Sequence, residues 1–146
     1  MAMKVLVLNG PNLDRLDLRE KSYYGDITYQ GIVDSLKDQA SVLGFDVEVK
    51  QSNDEAELIG WLHSAAESKT PVIFNPAAFT HYSYAIRDAV TMLQAPCIEV
   101  HLSNPLSREE FRHTSVISGV VNGTIAGFGL DSYRLALQAM KTLLGN

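Results

Sequence analysis

LVLNGPNL, residues 6–13, is the segment from which the architecture follows, because an unbroken apolar run stops abruptly at an Asn-Gly-Pro-Asn loop. Two later stretches, VIFNPAAFTHYS (72–83) and IEVHLSNP (98–105), repeat that pattern. Continuous apolar runs of this length are typical of parallel strands buried on both faces. The carboxyl ends of such strands share one edge of an open sheet, where ligands bind. The three stretches therefore predict a small-molecule site assembled from three loops.

Between these stretches the chain alternates predicted strands and helices. The predicted strands are 4–8, 46–50, 71–74, 97–102 and 120–126, and the predicted helices are 28–43, 52–68, 83–93 and 131–144. Residues 46–50 alternate apolar and polar side chains, which favours a half-exposed edge strand. The patterns at 52–55 and 107–110 resemble capping boxes, so each predicts a helix start, the second of a short helix.

This alternation predicts an α/β fold for a single domain that spans residues 1–146. The sheet should be doubly wound, parallel and five-stranded, with the order 2-1-3-4-5 and helices on both faces, giving three layers. In that order the alternating second strand lies at an edge. The loops that follow strands one, three and four then become neighbours around the point between strands one and three where the winding reverses.

Composition excludes several classes of function. The 146 residues are 46% hydrophobic and 20% charged, with a net charge of −5, which argues against a nucleic-acid partner. No apolar stretch is long enough to span a membrane, and the start MAMKVLVLNG lacks a signal-peptide pattern, so we expect a cytoplasmic protein. The single cysteine, Cys97, begins an apolar run, which favours a buried core thiol over a nucleophile.

The connection after the first strand, residues 12–24, is long enough to be a binding loop or lid. It carries Arg15, Arg19, Lys21, Tyr23 and Tyr24. A tyrosine becomes a general base only if its pKa of about 10 drops by about 3 units, or roughly 4 kcal/mol. A guanidinium at about 4 Å, with an effective dielectric near 20, supplies on the order of that amount. A tyrosinate is therefore physically reachable here; the alternative is a solvated loop whose tyrosines pack on the fold.

Glu99 and His101 stand two apart on one predicted strand, so their side chains point to the same face. A carboxylate beside an imidazole orients it and favours its protonated form, which suits a general acid. The alternative is a structural ion pair. A third interpretation adds His81 and makes two imidazoles and a carboxylate into a metal site, although no tight ligand spacing is present.

Arg108 and Arg112 stand four apart, so on a helix they share one face. Together with Ser103 they could clamp a carboxylate, for which the guanidinium fork is well shaped. The alternative is a solvated face on which both arginines pair with Glu109 and Glu110. An imine mechanism has little support, since Lys21 is the one lysine in a candidate site loop.

In combination, these motifs resemble one enzyme family. The stretches are NGPNL (9–13), REKSYYG (19–25), QSNDEAELI (51–59), FNPAAFTHYSYAIRDA (74–89), IEVHLSNP (98–105) and REEFRHTS (108–115). They run in order along almost the whole chain and are similar to type II 3-dehydroquinate dehydratases. The resemblance implies a flavodoxin-like fold and the anti elimination of water from 3-dehydroquinate, through an enolate, to give 3-dehydroshikimate. It also implies no cofactor and no metal, a role in the shikimate pathway or in quinate breakdown, and a homododecamer built from trimers.

The same resemblance assigns roles by motif. Tyr24 would be the base and Arg19 the group that stabilises its anion. His101 would be the proton donor, oriented by Glu99, and Asn12 would hold a water against the enolate. The remaining implied residues are Arg108, a further active-site arginine; the substrate contacts Asn75, His81, Arg112, Leu102 and Ser103; and Asp88, which would complete a neighbouring subunit's site.

The first loop departs from the family pattern. Asp14-Arg15-Leu16-Asp17 stands where Asn-Leu-Leu-Gly is common, and Lys21 stands where Pro is common. Loss of the Gly removes a position that tolerates positive φ, and loss of the Pro loosens the loop. We therefore expect altered lid geometry. The alternative function is a non-catalytic module that binds a small anion and whose lid is disabled by these changes.

Overall fold

The computed structural model describes residues 2–145 and contains a five-stranded, all-parallel sheet with the order β2-β1-β3-β4-β5, as predicted. The strands are β1 (Met3–Asn9), β2 (Phe45–Gln51), β3 (Val72–Asn75), β4 (Cys97–His101) and β5 (Gly123–Ala126). The helices are α1 (Lys21–Tyr24), α2 (Tyr29–Leu43), α3 (Glu55–Ser68), α4 (Tyr84–Thr91) and α5 (Leu130–Leu143).

Alternate residues of the central strands build two separate cores, one on each face of the sheet. Val5 and Val7 of β1 pack with α2 and α5, whereas Leu6 and Leu8 pack with α3 and α4. Since both faces are covered, the central strands read as unbroken apolar runs. This is the predicted three-layer, flavodoxin-like arrangement. Cys97 lies in the second core and is 2% exposed, which confirms the buried-thiol interpretation.

Strand β5 begins later than predicted. Val120 ends a 3₁₀ turn, Ser118–Val120, and the strand starts only at Gly123. Val120 and Val121 are apolar because they pack against the core beneath α4, not because they pair with β4. Packing against a side-chain cluster and pairing in a sheet both demand apolar residues, so the sequence pattern could not separate them.

Neither capping-box prediction is correct. Helix α3 is capped by Asp54, whose carboxylate accepts from the Ala56 amide at 2.9 Å, while Ser52 accepts from the Asp54 amide. The segment near 107–110 forms two 3₁₀ turns, Pro105–Ser107 and Glu110–His113, in place of an α-helix. Asn104 caps the first of them through the Leu106 amide.

The long connection after β1 is more regular than expected, since it contains a 3₁₀ segment, Leu13–Leu18, and the short helix α1. Asp17 is not among the residues with positive φ, so the absence of glycine causes no backbone strain there. Instead, Asp17 accepts two hydrogen bonds from the Arg15 guanidinium, both at 3.0 Å.

Between residues 2 and 145, no helix combines the length and the hydropathy needed to cross a bilayer.

Candidate active site

The three loops that follow β1, β3 and β4 meet around an open pocket of about 590 Å³ at the carboxyl edge of the sheet. This is where the sequence placed the site. The pocket is lined by Pro11, Asn12, Leu13, Arg19, Tyr24, Asn75, Ala77, Ala78, His81, His101, Leu102, Ser103, Pro105, Arg108 and Arg112. Ten of the predicted site residues are in this lining; the other two, Glu99 and Asp88, are not.

Tyr24 presents its phenolic oxygen to two guanidinium groups. Arg19 Nη2 and Arg108 Nη1 each donate a hydrogen bond to Tyr24 Oη at 2.7 Å. The side chain is otherwise packed into the core with Leu13 and Leu16, and it is 6% exposed. Two charge-assisted donors in a largely dry position are placed to stabilise negative charge on this oxygen. Of Arg108 and Arg112, it is Arg108 that donates to Tyr24 Oη alongside Arg19.

Arg108 is nearly inaccessible to water, since its side chain is only 4% exposed. Its Nη1 also donates to Ser103 Oγ at 3.1 Å, which ties it to the loop after β4. Two carboxylates lie near it, Glu20 at 3.9 Å from Nη2 and Glu109 at 3.8 Å from Nε. Arg108 therefore links the first loop to the fourth strand's loop and carries a positive charge next to Tyr24.

Glu99 is fully buried on β4, yet its carboxylate has three donors. His101 Nε2 and Thr80 Oγ1 donate to Oε2, and Ser118 Oγ donates to Oε1, all at 2.5 Å. Burial by itself would raise the pKa of Glu99. The hydrogen bond and charge of His101, together with the two hydroxyl groups, outweigh burial and leave the pKa below its ordinary value. Glu99 is thus an anion that holds His101 by one ring nitrogen.

Thr80 and Ser118 were missed by sequence reasoning. They lie 19 residues to either side of Glu99, on the 3₁₀ turns Ala77–His81 and Ser118–Val120. Ser115 extends the cluster, because its hydroxyl lies 2.6 Å from that of Thr80. Only the burial of a carboxylate on a central strand, which demands compensating donors, could have signalled that such partners exist.

His81 and Arg112 both line the pocket; His81 ends the 3₁₀ turn Ala77–His81, and Arg112 lies in the turn Glu110–His113. His81 Nδ1–H donates to the Thr114 carbonyl at 2.8 Å, which leaves Nε2 as an acceptor in the neutral ring. Burial lowers the pKa of His81, and the positive charges of His101 and Arg112 add to that effect. Arg112 is held by a two-point contact with Glu109, at 3.1 and 3.4 Å.

The metal interpretation of His81, His101 and Glu99 is not supported by geometry. Within residues 2–145, no three His, Cys, Asp or Glu side chains come together in a way that could hold a metal ion. Both carboxylate oxygens of Glu99 already accept hydrogen bonds from side chains.

The prediction that Arg108 and Arg112 share a helix face is also wrong, because Arg108 precedes the 3₁₀ turn that contains Arg112.

A buried amide network forms the floor of the pocket. Asn75 Nδ2 donates to Tyr133 Oη at 2.9 Å, and Tyr133 Oη donates to Asn9 Oδ1 at 2.5 Å. Asn75 Oδ1 accepts from the Ala77 amide at 3.1 Å, so the orientation of the Asn75 side chain is fixed. Tyr133, on the last helix, was not identified from sequence, where it reads as one more core aromatic.

The loop after β1 is held by contacts with the segments that follow β2 and β3. The backbone N–H of Asn12 donates to Oδ1 of Asn53, which follows β2, at 2.9 Å, and Asn12 adopts a left-handed conformation with φ of 72°. A Cβ added at Gly10 would lie 2.6 Å from the Pro76 carbonyl oxygen, so only glycine fits there without movement of the backbone. This contact keeps Asn12 and Asn75 at the same pocket.

The remaining candidates divide in two. Leu102 and Ser103 directly follow β4 and line the pocket, with their backbone at its edge. Asp88 is exposed on α4 and does not reach the pocket of its own chain. Lys21 is also outside the lining; it is 82% exposed at its side chain and lies 3.8 Å from Asp26, which disfavours an imine at this position.

Fold and site together define an acid–base enzyme site on a flavodoxin-like α/β scaffold. A buried tyrosine with two cationic donors and a histidine with an anionic partner share one pocket, and the arginines there suit a small anion.

The sequence pattern of the family described as "Dehydroquinase class II" matches residues 3–141, so this chain belongs to that family. It is 54% identical over 136 residues to a 3-dehydroquinate dehydratase of Mycobacteroides abscessus, covering 93% of this chain and 94% of that one. It is 51% identical to a 3-dehydroquinate dehydratase of Caldicellulosiruptor bescii, with coverage of 97% and 98%. The crystal structure of type II dehydroquinase from Propionibacterium acnes superimposes with a TM-score of 0.94 at 53% identity, covering 97% and 98% of the two chains.

Proposed function

We propose that this protein is a type II 3-dehydroquinate dehydratase, a hydro-lyase that converts 3-dehydroquinate to 3-dehydroshikimate and water. The observation that carries the proposal is the pair of 2.7 Å hydrogen bonds from Arg19 and Arg108 to Tyr24 Oη. Relatives of about half identical sequence that carry this enzyme name support it. A non-catalytic module is not favoured, because the altered first loop still brings Arg19 and Tyr24 together.

In the proposed mechanism, the Tyr24 phenolate removes the proton next to the ketone of the substrate. The bond from carbon to hydrogen breaks, its electron pair forms an enolate, and Tyr24 becomes a neutral phenol. Arg19 and Arg108 stabilise the phenolate before the transfer. Asn12, in its left-handed conformation at the pocket mouth, would hold a water that donates to the enolate oxygen.

The second step is loss of the hydroxyl group. His101, protonated on both ring nitrogens, gives a proton to the departing oxygen as the enolate collapses to the conjugated enone, and water leaves. Glu99 stabilises the imidazolium by accepting from Nε2 at 2.5 Å, which leaves Nδ1 to serve the substrate. An anti elimination requires the base and the acid to act from opposite faces of the ring.

Substrate binding would use the rest of the lining. The fixed amide of Asn75 and the backbone N–H groups of Leu102 and Ser103 suit a carboxylate, which several aligned donors can hold without a full counter-charge. His81 Nε2 would accept a hydrogen bond from one substrate hydroxyl group, and Arg112 would donate a hydrogen bond to another. In these assignments, the carboxylate of the substrate and its hydroxyl groups bind to different residues.

We further propose that Asp88 completes the site of a neighbouring copy in a homododecamer built from trimers, and that the enzyme acts in the cytoplasm. Asp88 is exposed on α4, away from its own pocket, as a group that serves another subunit has to be. Light scattering on the purified protein tests the assembly, and an Asp88→Asn variant with raised KM in an intact dodecamer would support the role. A fully active monomer would contradict both.

The activity is tested by following the ultraviolet absorbance of the conjugated enone product after addition of 3-dehydroquinate. Tyr24→Phe should lower kcat by about 10²- to 10⁴-fold, the usual contribution of a general base, while KM changes little. The matched control is Tyr84→Phe, which removes a hydroxyl group from an exposed tyrosine on α4. Near-wild-type turnover by Tyr24→Phe would refute the base assignment, and an inactive wild-type protein would refute the function.

A further inference from the structure

Tyr23 lies beside the site but is not among the pocket residues. It precedes Tyr24 on α1 and is 39% exposed. The Arg108 guanidinium carbon lies 4.3 Å from the centre of the Tyr23 ring, closer than the 5.4 Å that separates it from the Tyr24 ring. The flat face of a buried cation therefore rests on the ring of a residue that no catalytic step uses.

The hydrogen bonds of Arg108 leave its charge incompletely satisfied. Nη1 serves both Tyr24 Oη and Ser103 Oγ, at 2.7 and 3.1 Å. Its Nε is buried and has no hydrogen-bond partner among residues 2–145. The two nearby carboxylates, Glu20 and Glu109, stay at 3.9 and 3.8 Å and are more than half exposed. A desolvated guanidinium in this state gains from a ring face, because the negative face of the aromatic quadrupole attracts the cation.

We infer that Tyr23 is a positioning residue for the reaction: its ring holds the Arg108 guanidinium against Tyr24 and keeps water from it. The contact joins α1, in the first loop, to the loop after β4, so it also helps to hold the first loop in place beside the pocket. This inference rests on the proposed function, because Arg108 matters through its effect on the phenolate of Tyr24.

The charged groups around the phenolic oxygen define what should happen when the ring is removed. Arg19 and Arg108 donate to it, Glu20 lies 3.7 Å from Arg19 and 3.9 Å from Arg108, and Glu109 lies beside Arg108. His101 and Arg112 share the pocket. Without the ring, Arg108 can swing toward Glu20 or Glu109 and solvent, which leaves Arg19 alone to stabilise the anion.

The test compares two substitutions at one position. Tyr23→Leu keeps much of the volume but removes the ring face, whereas Tyr23→Phe keeps the face and removes only the hydroxyl group. From the usual strength of a cation–π contact, Tyr23→Leu should lower kcat/KM by about 2- to 30-fold. The acid limb of its kcat/KM profile should move to higher pH, and Tyr23→Phe should restore both. Tyr84→Leu, at an exposed tyrosine on α4, is the matched control.

A second measurement needs no turnover. The amides of Tyr24 and Gly25 donate to the carbonyls of Glu20 and Lys21, at 3.1 and 2.8 Å, and their hydrogen exchange reports how firmly α1 is held. Exchange at these amides should accelerate in Tyr23→Leu and not in Tyr23→Phe, while the urea midpoint of the whole protein stays near wild type.

The outcomes distinguish a failure of the role inferred for Tyr23 from a failure of the proposed function. A leucine variant with wild-type rate, pH profile and exchange overturns the inference, and so does a phenylalanine variant as impaired as the leucine one. An unchanged pH profile with a lowered rate also overturns it, since a purely structural role would give that result. If the wild-type protein does not dehydrate 3-dehydroquinate, the proposed function fails, and the exchange data alone decide whether the ring holds the loop.

Discussion

Substitution of Glu99 by Gln isolates the charge that supports the proposed acid. The two side chains are nearly the same size, and Glu99 is 0% exposed, so the variant must satisfy the same buried partners. The new amide nitrogen can donate to Ser118, whose hydroxyl group rotates from donor to acceptor, while the remaining oxygen still accepts from His101 and Thr80. The fold should therefore survive, and the main loss is the negative charge beside the imidazole.

The free energy lost when the charge of Glu99 is removed has a lower and an upper bound. A charge-assisted hydrogen bond is stronger than a neutral one by about 1 to 1.5 kcal/mol, which sets the lower bound. Two unit charges about 4 Å apart at an effective dielectric near 20 interact with about 4 kcal/mol, which sets the upper bound. If the imidazolium is required in the rate-limiting step, kcat should fall by roughly 10- to 1,000-fold. KM should change little, because Glu99 does not line the pocket.

The assay is the pH dependence of enone formation at saturating substrate. The alkaline limb of kcat should move to lower pH in Glu99→Gln, since the negative charge that accepts from His101 Nε2 is gone. Ser118→Ala is the control: it removes one donor to Glu99 but leaves the charge, so its loss of kcat should be smaller. A Glu99→Gln enzyme with wild-type kcat and an unchanged pH profile would show that the pair is structural and that the acid lies elsewhere.

Three further predictions concern stability and reactivity. Burial raises the pKa of Cys97 to about 12, so iodoacetamide should label the thiol only after unfolding, and rapid labelling of the native protein would contradict the packing. The folded-state pKa values of His81 and Glu99 are both lowered, so the unfolded chain binds more protons; the urea midpoint should fall as pH drops below 6.5 and again below 4.5, and His81→Gln should flatten the first decline. Gly10→Ala should destabilise the fold by about 1–3 kcal/mol in urea unfolding, because its Cβ meets the Pro76 carbonyl, whereas Gly60→Ala, in open space on α3, should be neutral or stabilising by up to about 1 kcal/mol.

The architecture was predictable from sequence because parallel strands covered on both faces have a distinctive pattern. The runs at 4–8 and 71–74 are apolar apart from Lys4, the run at 97–102 is interrupted only by Glu99 and His101, and the alternation at 46–50 marked the edge strand. Strand order then placed three loops together. The residue types that do chemistry stood at those strand ends and in the loops that follow. The spacing of Glu99 and His101 placed both side chains on one face of a strand, whereas the role of Arg19 beside Tyr24 was implied by the family resemblance.

The parts that sequence reasoning missed depend on distant contacts or on exact backbone geometry. A Ser-x-x-Glu pattern predicts a cap only when the chain enters the helix at that serine, and at 52–55 the chain enters two residues later, at Asp54. Thr80 and Ser118 reach Glu99 from other turns of the chain, and no local pattern marks a hydroxyl group that will satisfy a buried carboxylate. Tyr23 was seen as a loop aromatic, and only the position of Arg108 gives it a partner.

The phenol of Tyr133 connects the last helix to the first and third strands, and this has a consequence for biosynthesis. Until the ribosome has made residue 133, the side-chain amides of Asn9 and Asn75 have no such partner beneath the nascent pocket. Leaving a buried amide without its hydrogen bond costs about 1–3 kcal/mol. Strands one to four can therefore gather during translation, but the binding surface becomes rigid only when the final helix docks, so emerging chains stay unable to capture substrate until synthesis is nearly finished.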